Sequence, residues 1–204
     1  MAMSPTGRIL LVAVLAGLLG VVAGRAMNGL GPLLGPVLRT QWGQRVLQRV
    51  LQADAPPAPA GLAVASRGAP MPTLVLPDLD GGTMQLPDAY SGRPILINFW
   101  ASWCGPCIVE MPELDRFAAA QGPDGTQVIG IALDGPDAVR AFLQRTPVAY
   151  PILIDLPGPA DSGVQMGNLK GVLPYTALID ANGTLRKQKI GPFAPGEIDT
   201  WAAP

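Results

Sequence analysis

Two cysteines are the only residues of this 204-residue chain whose type and spacing define a redox site. Cys104 and Cys107 are separated by two residues and directly follow an apolar run, residues 94–100, that is typical of a buried strand. A Cys-x-x-Cys pair at the point where a strand gives way to a helix indicates a dithiol that exchanges electrons with disulfides. We therefore interpret Cys104 and Cys107 as a redox-active pair that forms a disulfide.

The composition argues against the other common uses of two cysteines. The chain has no histidine, so a zinc site would need to combine two thiolates with carboxylates, which structural zinc sites rarely do. A c-type haem attachment needs a histidine after the second cysteine, where Ile108 stands. Iron–sulfur clusters usually need four thiolates. A purely structural bridge across two residues would remove little chain entropy. We expect no metal and no cofactor other than the Cys104–Cys107 disulfide.

The predicted start of a helix at the dithiol assigns a separate task to each sulfur. Cys104 should lie at the helix N-terminus, where free N–H groups and the macrodipole stabilise a thiolate and make it the attacking nucleophile. Cys107, nearly one turn further, should be more buried and resolve a mixed disulfide by attacking the Cys104 sulfur. Pro106 has no N–H group, which costs nothing at a helix start. Trp103 should shield the nucleophile and offer an apolar surface to partners.

The N-terminal part of the chain differs from the rest in composition and charge. Residues 9–24 carry no charge, so residues 1–27 are either an uncleaved transmembrane anchor, which we favour, or a cleaved signal segment. Residues 28–68 contain an amphipathic helix pattern at 40–52 and a Pro/Ala linker at 53–59. Residues 1–69 hold a net charge of +5 and residues 70–204 one of −6, which favours contact of the leader with a membrane and gives no indication of nucleic-acid binding.

Residues 69–204 are predicted to form one α/β domain. Apolar runs and turn signals predict a hairpin first, and then strands that alternate with helices around a mixed central sheet. The predicted strands are 73–76, 83–86, 95–99, 127–133, 150–154, 175–179 and 184–190. The predicted helices are one from the dithiol to about residue 120, and others at 136–145, 164–169 and 195–203. Apart from Glu110, we interpret the charged residues of this domain as solvated surface.

These residues resemble a known family. The segment 95–107, ILINFWASWCGPC, is similar to the active-site strand and helix start of thioredoxin-fold proteins. The leading hairpin, the pair Asn98 and Glu110, and an insertion at about 148–170 resemble the membrane-tethered TlpA/ResA/CcmG branch. The resemblance covers about residues 70–200. It implies a thioredoxin-like fold, with a mixed central sheet flanked by helices, an N-terminal β-hairpin extension and a central insertion.

The resemblance also implies roles for several residues. Glu110 corresponds to a glutamate that handles the proton of the buried thiol, which makes it a catalytic candidate beside Cys104 and Cys107. Leu173 and Pro174 correspond to a cis-proline loop that binds an extended substrate. Gly105 and Pro106 are the dipeptide of reducing thioredoxins and lie with Trp103 on the expected substrate-binding surface.

The function implied is a thiol–disulfide oxidoreductase that reduces disulfides of exported proteins. It would be anchored in a bacterial inner membrane with its catalytic domain in the periplasm, and a transmembrane electron donor of the DsbD or CcdA type would re-reduce it. Cytochrome c biogenesis is one implied setting. Two alternatives stay open: a dithiol oxidant that forms disulfides, and a non-catalytic module that binds Cu(I) or a client through its thiolates.

Overall fold

The computed structural model describes residues 57–203, together with Gly43, Val46 and Val50, which are helical. The predicted anchor or signal segment at 1–27 lies outside the described residues, as does most of the predicted amphipathic helix. Within the described part of the chain, no helix is both long and apolar enough to cross a membrane.

The described domain contains seven strands, four α-helices and one short 3₁₀ helix at Asp88–Tyr90. The strands are β1 (Leu74–Pro77), β2 (Thr83–Leu86), β3 (Ile95–Trp100), β4 (Gln127–Leu133), β5 (Ile152–Asp155), β6 (Tyr175–Ile179) and β7 (Leu185–Ile190). The helices are α1 (Gly105–Ala119), α2 (Pro136–Leu143), α3 (Ser162–Gln165) and α4 (Glu197–Trp201).

Five strands form a mixed sheet in the order β5-β4-β3-β6-β7, and β1 with β2 forms a separate hairpin. Strands β3, β4 and β5 run parallel, whereas β6 is antiparallel to β3 and to β7. The carboxyl ends of β3 and β4 and the amino end of β6 therefore meet at one edge of the sheet. This arrangement confirms the predicted thioredoxin-like α/β fold, with its leading hairpin and with β5 and α3 in the predicted insertion.

Strand β3 lies in the centre of the sheet and divides the core into two layers. Its residues alternate between the two faces, and all six are buried because helices or the hairpin cover both sides. Helix α1 packs on the face that Leu96 and Trp100 occupy, through a buried stripe at helical spacing: Cys107, Glu110, Met111, Leu114 and Phe117. The active-site helix is thus fixed by a large apolar contact with the central strand.

Strand β5 begins later than the sequence predicts. The prediction started it at Tyr150, but the strand starts at Ile152 because Pro151 has no N–H group to give to the ladder. Tyr150 instead turns its ring inward and is buried beside the α1 face of the sheet. The segment before β1 also contacts the domain, since the Ala65 and Gly68 amides donate to the carbonyls of Gln165 and Leu185.

Gly130, in the middle of β4, lets three side chains close over the sheet beneath α1. A Cβ atom at this position would lie 2.6 Å from Cδ1 of Ile152, 3.1 Å from Nε1 of Trp100 and 3.1 Å from Cε2 of Tyr150. Gly130 is also the register partner of Asn98 on the neighbouring strand. The absent side chain at Gly130 therefore allows the dense packing of the layer that supports the site.

We expect Gly130→Ala to destabilise the domain by about 1–3 kcal/mol, because the added methyl group overpacks a buried layer. The measurement is the urea midpoint of unfolding of the purified protein. Gly122→Ala is the matched control, since a Cβ atom there meets nothing within 4 Å. Equal midpoints for the two variants would contradict this account of Gly130.

Candidate redox site

Cys104 and Cys107 form a disulfide at the start of α1, with their Cα atoms 5.3 Å apart. Cys104 is the N-cap residue of the helix and its side chain makes no capping hydrogen bond. Its carbonyl accepts hydrogen bonds from the amides of Cys107 and Ile108, so the helix begins at the dithiol itself. The first turn of α1 contains no acidic residue. The positive end of the helix dipole therefore acts on a Cys104 thiolate without an opposing carboxylate in that turn.

The two sulfurs differ in their access to solvent, as predicted. Cys104 is 5% exposed and borders the surface, whereas Cys107 is fully buried on the inner face of α1. Gly105 and Pro106 are exposed beside Cys104, and Trp103 is 70% exposed. An incoming disulfide can thus approach Cys104 past Trp103, while Cys107 can be reached only from within the protein.

The turn that carries Trp103 is held from two sides. The Cys104 amide donates to the Ala101 carbonyl at 3.0 Å, which closes residues 101–104 into a tight turn. Ser102 donates both its amide and its hydroxyl to Oδ2 of Asp134, at 3.1 and 2.6 Å. Asp134 follows β4, so the neighbouring strand fixes the loop that presents the nucleophile.

Glu110 lies one helical turn after Cys107 and has no exposed surface. Its Oε1 accepts a hydrogen bond from Nδ2 of Asn98 at 2.8 Å, and its Oε2 accepts one from the amide of Phe193 at 2.9 Å. Nδ2 of Asn98 also reaches Oγ1 of Thr176 at 3.1 Å. The predicted pair Asn98 and Glu110 is therefore in direct contact beneath the dithiol.

Burial raises the pKa of Glu110 to about 7, because an ionised carboxylate is poorly solvated there. The hydrogen bonds from Phe193 and Asn98 and the positive charge of Lys189 act in the opposite direction, and the negative charge of Glu197 adds to the rise. The raised pKa means that the carboxyl group is neutral in mildly acidic solution and ionised in mildly alkaline solution. It can accept or donate a proton near neutral pH.

A row of polar residues crosses the sheet under α1. Asn98 on β3 pairs in register with Thr176 on β6, and Thr176 pairs with Lys189 on β7, so the three side chains share one face. Lys189 is only 2% exposed, and its Nζ lies 2.8 Å from Oε1 of Glu197 on α4. The interpretation of Lys189 as solvated surface is therefore wrong, because α4 packs over the last strand.

The loop before β6 reaches the same edge of the sheet as the dithiol. The peptide bond between Leu173 and Pro174 is cis, as the resemblance implies. Leu173 is partly buried and packs against the core cluster that contains both cysteines. Within residues 57–203 its backbone forms no hydrogen bond, while the Pro174 carbonyl accepts one from the Gly191 amide. The Leu173 N–H and C=O are therefore not hydrogen-bonded within the described residues.

Three contributors to the site were not identified from the sequence. Thr176 and Lys189 reach Asn98 and Glu110 only through strand register and the packing of α4. Tyr150 is buried near Glu110, and this burial raises the pKa of its hydroxyl group. A period-two pattern could have placed Thr176 on the Asn98 face once the strand order was known. No group of three or more cysteine, aspartate or glutamate side chains suited to a metal occurs among the described residues.

The comparisons with known proteins agree with this geometry. The family model described as Redoxin matches residues 66–202. A thiol–disulfide oxidoreductase ResA from Geobacillus thermodenitrificans is 34% identical over 134 residues, which cover 64% of this chain and 73% of that relative. ResA from Bacillus anthracis is 32% identical over 127 residues, which cover 61% of this chain and 69% of that relative.

Solved structures share the fold. A thioredoxin-related protein from Neisseria meningitidis serogroup B has a TM-score of 0.55 at 31% identity, covering 61% of this chain and 93% of its own. A candidate thiol:disulfide interchange protein DsbE from Chlorobium tepidum has a TM-score of 0.57 at 27% identity, covering 67% of this chain and 94% of its own. The chain therefore belongs to the redoxin family and is a thiol–disulfide oxidoreductase.

Proposed function

We propose that this oxidoreductase works as a reductant of disulfides in exported proteins. The observation that carries the proposal is the pairing of a surface-bordering Cys104 at a helix N-terminus with a fully buried Cys107 above a buried carboxyl group. The first sulfur can be reached by a protein disulfide, and the second can act only on the first. Gly105 and Pro106, which separate the two cysteines, match the dipeptide of the reducing thioredoxins.

The proposed reaction transfers two electrons and forms one covalent intermediate. The Cys104 thiolate attacks one sulfur of the client disulfide, whose other sulfur leaves as a thiolate and takes up a proton. Cys107 then loses its proton and attacks the Cys104 sulfur of the mixed disulfide, which releases the second client sulfur as a thiolate that also takes up a proton. The client ends as a dithiol and the enzyme as the Cys104–Cys107 disulfide. The two sulfurs carry both electrons, so the proposed reaction uses no bound cofactor.

Glu110 is proposed as the group that exchanges a proton with Cys107. It is the buried carboxyl group one turn along the same helical face, and its raised pKa makes it a base above about pH 7. Asn98 contacts it but cannot titrate. Its proposed role is to hold the carboxyl group through the hydrogen bond from Nδ2.

Client binding is proposed to use the edge of the sheet around the dithiol. Trp103 supplies an exposed apolar surface, and Gly105 and Pro106 leave the approach to Cys104 open. The free backbone of Leu173, held in place by cis-Pro174, suits pairing with an extended client segment, as in strand addition.

We further propose that the domain faces the bacterial periplasm and is tethered to the inner membrane by residues 1–27. The uncharged run at 9–24 and the basic character of residues 1–69 support this proposal. A transmembrane donor of the DsbD or CcdA type would return the oxidised enzyme to the dithiol form. Residues 28–68 would then act as helix and linker between membrane and domain.

The division of labour between the cysteines predicts opposite behaviour of two variants. Cys107→Ser should accumulate a stable mixed disulfide with a model client disulfide, because no thiol remains to resolve it. Cys104→Ser should form almost none, because Cys107 is buried. Intact mass spectrometry after acid quenching measures both adducts. Client binding by Cys107→Ser without a covalent adduct would instead favour the non-catalytic binding module.

The reducing direction predicts a low redox potential. We expect a value near or below roughly −250 mV for the Cys104–Cys107 couple, in the range of thioredoxin. Equilibration of the purified protein with dithiothreitol buffers, followed by counting alkylated thiols by mass, gives this potential. A value near about −120 mV would identify a dithiol oxidant and refute the proposed direction.

The proposed role of Glu110 predicts a pH dependence with a defined sign. Because its pKa is raised, the carboxyl group becomes a base only as the pH rises through about 7. Resolution of the mixed disulfide should therefore accelerate across that range. In Glu110→Gln the acceleration should move toward about pH 8.5, where a thiol deprotonates unaided, and the rate at neutral pH should fall about 10²-fold.

Rapid-quench measurement of mixed-disulfide decay between pH 5 and pH 9 tests this prediction. Asp137→Asn is the control, since Asp137 is a fully exposed carboxylate on α2. Its profile should match that of the unmodified protein. An unchanged profile in Glu110→Gln would exclude Glu110 from proton transfer.

A further inference from the structure

We propose that Lys189 and Glu197 are positioning residues for the resolving step, because they place a buried ammonium charge on the face of the sheet below Glu110 and hold the Phe193 amide that binds its carboxyl group. This inference rests on the proposed role of Glu110. It adds residues of β7 and α4, on the far side of β6 from the dithiol strand, to the machinery that moves the proton. The active form of Glu110 would thus depend on the C-terminal segment 189–197 as well as on α1.

The Lys189–Glu197 ion pair joins a buried lysine to a partly buried glutamate at the end of the polar row. Nζ of Lys189 lies 2.8 Å from Oε1 of Glu197, and the lysine side chain is only 2% exposed. A pair with so little solvent contact carries a large desolvation cost, and apolar residues of similar volume often stabilise such positions better. Its place beside the Asn98–Thr176 row is consistent with a role in the site.

Two consecutive peptide groups join this ion pair to Glu110. The Phe193 amide donates to Oε2 of Glu110 at 2.9 Å, and the next amide, that of Ala194, donates to Oε2 of Glu197 at 2.8 Å. Nζ of Lys189 lies 5.1 Å from the centre of the Phe193 ring, a cation–π distance. Glu197 and Lys189 therefore fix the residue whose amide binds the reacting carboxyl group.

Lys189 and Glu197 carry opposite charges, so they act on the ionisation of Glu110 in opposite directions. One ammonium group, that of Lys189, faces two carboxyl groups, those of Glu197 and Glu110. The three groups together are neutral when Glu110 is protonated and carry a net charge of −1 when Glu110 is ionised. The Lys189 charge favours the ionised form of Glu110, and the Glu197 charge favours the neutral form.

The other titratable groups around Glu110 leave this balance intact. Cys107 faces it from α1 but does not titrate in the disulfide form. Tyr150 faces it from the segment before β5, and its raised pKa keeps the hydroxyl neutral. Among the surface charges of α1 and α4, those of Glu113, Arg116 and Asp199 are paired with one another.

The test is the titration midpoint of the Glu110 carboxyl group in the oxidised full-length protein. Carbon-13 NMR of protein labelled at the glutamate carboxyl carbons reports it, and Glu110→Gln assigns the signal by removing it. Lys189→Met should raise the midpoint by about one pH unit, and Glu197→Gln should lower it by about one unit. Opposite shifts are expected from two charges of opposite sign and not from a general loosening of the fold.

Matched controls lie on the same elements. Arg186 is an exposed cation on β7, and Asp199 is an exposed anion on α4. Arg186→Met and Asp199→Asn should leave the midpoint within a few tenths of a unit, because water screens these charges. If Lys189→Met does not fold, the Glu197→Gln variant is compared with the double variant that also carries Lys189→Met. The second substitution should raise the Glu110 titration midpoint by about one unit, and the double variant has no unpaired ion at these two positions.

The results separate this inference from the proposed function. Midpoints that move in opposite directions, with the pH profile of mixed-disulfide decay moving with them, support the assignment. Unchanged midpoints in the Lys189 and Glu197 variants overturn it, even if Cys107→Ser still traps a client and the proposed function stands. A Glu110→Gln protein that resolves as fast as the unmodified protein removes the proposed proton role, and with it this assignment.

Discussion

The burial of the Glu110 carboxyl group under α1 is the constraint on which the rest of the site depends. A carboxyl group without solvent contact is costly unless its oxygens are hydrogen-bonded, and here each oxygen has a partner on a different element. Asn98 binds it from the central strand and Phe193 from the loop between β7 and α4. The same two bonds that make burial tolerable also tie the active-site helix to both, so the position of the dithiol and the chemistry of the carboxyl group are set together.

The central strand explains how one polar residue can organise so many others. Strand β3 has neighbours on both edges and is buried on both faces, so any polar side chain on it must find its partners inside the protein. The Nδ2 group of Asn98 does this twice, since it donates to Glu110 and to Thr176. Register then carries the polar row on to Lys189. Gly130, on the other side of Asn98, has no side chain, and the space above it is filled by aromatic and aliphatic groups. The polar row therefore extends toward β7 only.

How much of this could be predicted depends on whether a residue's partners are near it in the sequence. The predicted bounds of β4 and β6 match the structure because apolar runs with clear turn signals set them locally. The disulfide at the start of α1 follows from four consecutive residues. Lys189 could not be predicted, since the strand LRKQKI has polar residues on both faces. Its burial depends on α4, which the sequence indicates only as a brief helix. The Phe193 amide has no side-chain signal at all, because any residue except proline would supply the same N–H group.

The proposed mechanism depends on the charge balance beneath the dithiol. Beneath the dithiol of the oxidised enzyme lie the Lys189 ammonium group, the Glu197 carboxylate and the Glu110 carboxyl group, whose pKa is raised to about 7. Reduction adds a buried thiol at Cys107 to the same face of α1. A Cys107 thiolate and a Glu110 carboxylate would place two further negative charges over a single ammonium group, which a site of low polarity disfavours. A single proton shared between the thiol and the carboxyl group avoids that state. In the proposed mechanism the proton passes to Glu110 when Cys107 attacks, and it leaves again when the client is released as a dithiol. The proposed role of Glu110 thus couples each turnover to one proton at one buried carboxyl group.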